Sequence, residues 1–302
     1  MMAPATGAKI AVLADRGVVG VTGADAVKLL QGIITNDMDL LSAQPAIHAA
    51  LLTPQGKILF DFFVVKAPDG FWLEAAADKT ADLAKRLTLY RLRAKVDIND
   101  RSAEYRVFAL WGGAPEALAG AAGTQFPDPR LAALGRRGLT RTQLAPDFTA
   151  AIRALEVPAQ DYHAHRIALG VPEGGKDYTF GDAFPHDADL DQLHSVSFAK
   201  GCFVGQEVVS RMQNRSHVRK RIVAIVGDAP LLAGAAITAG PAVIGTVGSV
   251  AGSDALALVR LDRAAEAAAK GTRLMADGVA IALRKPDWAN FELAPAATTG
   301  VS

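Results

Sequence analysis

Between residues 219 and 285 the chain is a succession of short β-like runs cut by glycine: KRIVAIVG, AAITAG, AVIGTVGSV, ALALVRL and VAIALRK. That spacing suits a small barrel or sandwich, interrupted by one alanine-rich helix near residues 262 to 270. The first hundred residues behave differently. KIAVL and GVVGV read as strands, Thr22-Gly23-Ala24-Asp25 offers a helix cap, and ADAVKLLQGI follows with apolar residues at helical spacing. IHAALLT and KILFDFFVVK are apolar runs separated by Pro54-Gln55-Gly56, a hairpin signal. FWLEAAA is a further strand, DKTADLAKRLTLYRL a helix with Leu83, Leu87 and Tyr90 on its apolar side, and AKVDIND a strand again. Antiparallel strands with packed helices define an α+β class. Residues 112 to 150 are rich in Gly, Ala and Pro with little periodicity and read as a connection or a variable subdomain. The stretch after Pro286 reads as a frayed tail.

About 300 residues, half of them hydrophobic, bury large cores and suggest two or three domains. A net charge of +1 argues against a protein built mainly to coat nucleic acid or a membrane. One cysteine forms no internal disulfide, which suits a reducing compartment. The N-terminal residues lack a signal-peptide pattern, and no apolar run approaches the ~20 residues that span a bilayer. The expectation is a soluble cytoplasmic protein without a membrane partner.

That single cysteine lies in Lys200-Gly201-Cys202-Phe203-Val204-Gly205-Gln206-Glu207. The following VVSRM has helix-forming character, so the glycines shape a tight turn into a helix start. There the thiol would feel a lysine charge and a helix dipole, both favouring thiolate. A small buried hydrophobe is the plainer alternative. The octapeptide closely resembles the signature of the YgfZ family, which is similar in fold to the aminomethyltransferase (T-protein) of the glycine cleavage system and includes the mitochondrial iron–sulfur assembly factor of the same type. LQGIITND (30 to 37), LLTPQGKILFDFFV (51 to 64), YRLRAKVDI (90 to 98) and RIALGVPEGGKD (166 to 177) look like family segments in family order.

The resemblance implies a ring of three domains around a central cavity, ending in a β-barrel. Residues 1–218 form the aminomethyltransferase-like region, with an internal boundary near 100–150; 219–290 form the barrel and 291–302 the tail. It also implies tetrahydrofolate, or a one-carbon derivative of it, in the cavity. Asp61 matches the aspartate of the T-protein folate pocket, Asn36 borders that pocket, and Arg166 matches the T-protein arginine that lies two residues before a pterin-gripping glutamate. That glutamate is here Ala168, a departure that weakens aminomethyl transfer. Lys200, Gln206 and Glu207 of the octapeptide join the cofactor set, and Arg211 is placed near the folate tail. Cys202 and Asp61 are the candidate reactive groups.

Other residues weigh in independently. By strand alternation Leu59, Asp61, Phe63 and Val65 share one face, three of the four apolar, which favours a partly buried acid. Gly170 to Lys176 spells a P-loop pattern, but Asp177 follows where Ser or Thr would ligate Mg²⁺, so it is set aside. His163 and His165 diverge on a helix and make no metal site; Asp187, Asp189 and Asp191 beside His186 lack an EF-hand pattern and read as a solvated face. Gly245, Gly248 and Gly252 read as turns. The run from Arg211 through Arg215 and Arg219 to Arg221 is a solvated face or an anion site. The leading expectation is a folate-binding accessory protein for iron–sulfur cluster assembly or repair, with assembly or client proteins as partners. A folate-dependent aminomethyl- or methyltransferase is the first alternative. An RNA-binding scaffold in tRNA modification, making weak RNA contact through the basic run, is the second.

Overall fold

The computed structural model describes residues 7–113, 123–152, 154–214 and 218–293. It divides into two compact units: Met1–Tyr162 with Leu193–Gln206, and His163–Gln192 with Glu207–Ser302.

The first unit carries strands β1 (Lys9–Val12) and β2 (Arg16–Thr22), helix α1 (Ala26–Ile33), and strands β3 (Ala46–Leu52), β4 (Ile58–Ala67) and β5 (Gly70–Ala76). Helix α2 (Thr80–Arg91), strands β6 (Asp97–Asp100), β7 (Tyr105–Trp111), β8 (Thr124–Pro127) and β9 (Arg136–Arg141), helix α3 (Ala145–Ile152) and strand β10 (Leu155–Glu156) follow. Two five-stranded sheets result, ordered β3-β4-β5-β2-β6 and β10-β1-β7-β9-β8. They pack face to face through Val18, Phe63, Val65 and Trp72 of the first and Ala11, Val107, Trp111 and Leu139 of the second. α1 and α2 cover the first sheet's other face through Leu29, Leu30, Leu83 and Leu87, against Phe60, Phe62 and Val64. α3 covers the second sheet with Phe148 and Ile152. The stretch 112 to 150, expected as a connection or a variable subdomain, thus supplies β8, β9 and most of α3. Gly138 sits in β9 because a side chain there would meet the Phe148 ring at 2.7 Å, a packing demand that periodicity does not register.

Helix α4 (Ala159–Ala168) runs from the first unit into the second after Tyr162, and α5 (Gln206–Asn214) precedes the barrel. β11 (Lys220–Gly227), β12 (Ala236–Ala239), β13 (Ala242–Ala251), β14 (Asp254–Arg260), β15 (Leu274–Ala276) and β16 (Val279–Arg284) close in the order β11-β14-β13-β12-β15-β16. Helix α6 (Leu261–Ala269) packs Leu261 and Ala264 into the barrel core beside Val223, Ile237 and Val259. Residues 163–192 fall in the same compact unit as the barrel.

The stretch after Pro286 is not frayed where it is described. Trp288 Nε1 donates to the Leu169 carbonyl at 2.8 Å, Ala289 is buried, and Phe291 and Leu293 pack on the barrel core. Residues 294–302 lie outside the described residues. Gly252 is a turn glycine, but Gly245 and Gly248 lie inside β13. A Cβ on Gly248 would stand 2.7 Å from Asp177 Oδ1, so that position is a close approach and not a turn. Among the described residues no helix is long and apolar enough to cross a membrane.

Candidate functional site

The octapeptide is a loop whose flanks are fastened while its thiol is not. Lys200 is buried, and its ammonium donates to the carbonyls of Gln31 (2.8 Å), Ile34 (2.7 Å) and Asn36 (2.9 Å). Those are the carbonyls at and beyond the C-terminus of α1, which leave a helix unpaired and favour a cation. Burial lowers the Lys200 pKa from 10.5 to about 8, opposed by Asp37. Phe203 is buried, with the Lys200 ammonium 5.4 Å from its ring centroid. Gly205 has φ +81°, and a Cβ there would lie 2.5 Å from the Thr53 carbonyl oxygen and 3.0 Å from Gly56 Cα. Only glycine fits this contact with the Thr53–Gly56 turn. Between these anchors Cys202 is exposed. The lysine charge expected beside the thiol is therefore spent on backbone carbonyls. Glycine shapes the helix start at Gly205 alone, since Gly201 has neither a positive φ nor a close neighbour.

The approach to the loop is held as firmly. Thr35 Oγ1 donates to Ser195 O and accepts from Ala50 N–H; Ser197 N–H donates to Thr35 O. Asn36 Nδ2 donates to His48 O (2.7 Å) and His194 O (2.8 Å), and its Oδ1 accepts from Asp37 N–H. Asn36 is thus buried and hydrogen-bonded within the fold.

Asp61 is buried on β4, on the face of Phe63 and Val65. Leu59 is not on that face: the register shifts between Leu51 and Leu52, and Leu59 packs with the α1/α2 core instead. Diagonal to Asp61, whose register partner on β3 is Ala50, stands His48, its Nε2 3.8 Å from Oδ2 and its Nδ1 2.7 Å from Ser195 Oγ. Ser195 gives its hydroxyl hydrogen to Leu193 O, so its oxygen accepts from His48 Nδ1–H. Burial, and then Arg130, Arg16 and Arg137, hold the His48 pKa well below its usual value against the opposing Asp128. The ring is neutral, with Nε2 towards Asp61. His48 and Ser195 therefore link β3 to the segment that enters the cysteine loop, with Asp61 beside the ring.

The same inter-sheet face carries a network that strand alternation did not reveal. Glu74 accepts from Arg16 Nε (2.9 Å) and Arg137 Nη1 (3.1 Å); Arg137 also donates to Tyr162 Oη. Arg130 grips Asp128 through two bonds, and both Arg130 and Arg137 stand 4.8 Å over the Phe63 ring. Burial works to raise Asp128, yet Arg130 and Arg137 outweigh it and keep the carboxyl below its usual range. The available signal was a charge inside an apolar strand, Glu74 in FWLEAAA and His48 in IHAALLT, the same signal that singled out Asp61.

In the second unit Arg166 is fully buried and committed. It donates to Asp177 Oδ2 (2.7 Å), Val171 O (3.1 Å), Ser249 Oγ (2.5 Å) and His163 Nδ1 (3.2 Å), and lies 3.3 Å from Glu173. The segment GVPEGGKD is wrapped round this guanidinium and tied by Asp177 to Ser249 N–H of β13. Arg166 is therefore an internal node of the second unit. Glu207 and Arg211 pair with each other at 2.6 Å on the exposed side of α5, a solvated ion pair. Gln206 opens that helix, half-buried.

The acidic cluster is not a solvated face. His186, Asp187 and Asp189 are buried, and Arg221 donates to His186 O, Asp189 Oδ1 and both Asp191 oxygens at 2.8–2.9 Å. Phe291 stacks beneath the same guanidinium. Burial drives Asp189 well above its usual pKa; at Asp191 burial acts likewise, but Arg221 prevails and the carboxyl lies below its usual value. The basic run is thus divided: Arg211 and Arg219 are exposed, Arg221 is buried, and 215–217 lie outside the described residues.

Comparison with known proteins places these features. Residues 7–128 match the GCVT N-terminal domain, and 219–291 match the CAF17 C-terminal beta-barrel domain. The crystal structure of the glycine cleavage system aminomethyltransferase T from Bartonella henselae superposes with a TM-score of 0.75, covering 94% of this chain and 86% of that one, at 19% identity. The chain is thus an aminomethyltransferase-type α+β fold completed by a six-stranded barrel. It is 37% identical over 228 residues to the mitochondrial iron–sulfur cluster assembly factor IBA57 homolog of Mycosarcoma maydis, covering 71% of this chain and 56% of that protein. It is 35% identical over 261 residues to human mitochondrial iron–sulfur cluster assembly factor IBA57, covering 80% of this chain and 72% of the human one. The chain belongs to the IBA57 family of iron–sulfur cluster assembly factors.

Proposed function

We propose that this chain supports iron–sulfur cluster assembly or repair by offering Cys202 as its reactive sulfur to an assembly or client protein. One observation carries the reading: Lys200, Phe203 and Gly205 are anchored, and Cys202 between them faces solvent. A purely structural thiol would be buried. One cysteine does not hold a cluster, so a partner supplies the other ligands. An exposed, unpaired thiol suits a reducing compartment such as the cytoplasm. The YgfZ-like octapeptide accords with this role.

Tetrahydrofolate is the further part of the reading, and it rests on Asp61. Asn36 and Arg166 are committed to internal bonds, Glu207 and Arg211 to each other, and Ala168 offers no carboxylate. That donor set fits folate poorly. Among the described residues of the basic run, nothing favours RNA.

Cells lacking the endogenous protein are to be complemented with Cys202→Ala and with Asp61→Asn. Cys202→Ala is expected to abolish rescue of iron–sulfur enzyme activity while leaving stability within about 0.5 kcal/mol, since the side chain is exposed. Full rescue by Cys202→Ala, with loss in Asp61→Asn, would instead assign a folate-dependent transferase. Calorimetric titration of tetrahydrofolate into the wild-type protein and Asp61→Asn settles the ligand independently.

A further inference from the structure

The balanced charge of the whole chain conceals a one-sided patch. From Lys79 to Lys95 it carries six basic side chains, Lys79, Lys85, Arg86, Arg91, Arg93 and Lys95, against one acid, Asp82. Lys79 pairs with Asp78, and Arg91 donates to Val96 O. Asp25 lies against the far end, its carboxylate accepting the Lys95 backbone N–H. Lys85, Arg86, Arg93 and Lys95 are exposed and, among the described residues, make no ion pair. Within this charge sit two leucines facing water: Leu89 is 64% and Leu92 87% exposed. They do not belong to the core, which α2 meets with Leu83, Leu87 and Tyr90. Lys85, Leu89 and Leu92 follow at i, i+4 and i+7, one face of the helix and its cap. Leu92 caps α2 at φ 48°, where a helix end ordinarily takes glycine because a side chain is strained there. A large apolar side chain is thus held in water, in a conformation unfavourable to it, among unpaired cations.

We infer that this end of α2 is a docking surface for an anionic lipid bilayer. Cations draw such a surface to acidic headgroups, and the leucines enter the boundary below them. Nucleic acid would use the cations but gain nothing from leucines, and Tyr90, the aromatic residue of the stretch, is turned to the core and does not stack on bases.

The full-length protein is to be floated with vesicles of phosphatidylcholine alone and of phosphatidylcholine mixed with phosphatidylglycerol. Binding is expected to the mixed vesicles only and to weaken with salt. Lys85→Glu and Arg93→Glu should each lower it at least roughly fivefold. Leu89→Ser with Leu92→Gly, which relieves the strained backbone, should lower it by about tenfold with the fold no less stable than the wild type. Failure to bind anionic vesicles at low salt overturns the inference. So does binding that falls with the charge reversals but is indifferent to the leucine pair, and so does RNA-oligonucleotide binding of that pattern without vesicle binding.

Discussion

Arg166→Met is expected to destabilise the fold by about 3–5 kcal/mol, the cost of removing one partner from a buried ion cluster. Asp177 and Glu173 would stay buried without their guanidinium, and Ser249 Oγ and the Val171 carbonyl would each lose a donor. Denaturant titration followed by tryptophan fluorescence measures this directly, because Trp288 donates to Leu169 a few residues away. Arg166→Lys should recover little, since a point-like ammonium cannot reproduce the fork across five partners. A residue reserved for ligand would behave oppositely, with stability unchanged or raised and only binding lost.

The second large effect is expected from Lys200→Met, about 2–4 kcal/mol of stability, because three carbonyls lose their donor together. The pH dependence has a definite sign. The folded-state pKa of about 8 lies below the unfolded value of 10.5, so between them the unfolded chain holds the extra proton. Stability contributed by this group therefore rises as pH climbs from about 8 to about 10. Comparing denaturation midpoints at about pH 7.5 and about pH 9.5 should show the rise in the wild type and a flatter response in Lys200→Met. An equal slope in both proteins would remove Lys200 as its source.

What the sequence made legible follows from how local each signal is. The β3–β4 hairpin announced itself through Pro54-Gln55-Gly56, and five of the barrel strands through glycine-bounded runs. β9 did not, because RRGLTR combines a glycine with three arginines and becomes a strand only by pairing with β7 and β8. Buried ion groups were misread for a related reason. A charged residue looks solvated until its partner is known, and Arg137 meets Glu74 across 63 positions, Arg221 meets Asp189 across 32. Asn36 and Arg166 drew notice as polar residues of family segments, but only the structure shows that their bonds are internal. Lys200 was noticed for its nearness to Cys202; its true partners are backbone oxygens, which leave no mark in any sequence.

That choice of partner makes the cysteine loop indifferent to much of its surroundings. Lys200 recognises the carbonyls of residues 31, 34 and 36, and Gly205 rests on main-chain atoms of residues 53 and 56. Every residue type presents those atoms. The exposed side chains around the loop can therefore drift, adapting the neighbouring surface to one partner or another, while these main-chain contacts hold the flanks of the thiol. The thiol's mounting and the identity of whatever it meets are, in this architecture, separately adjustable.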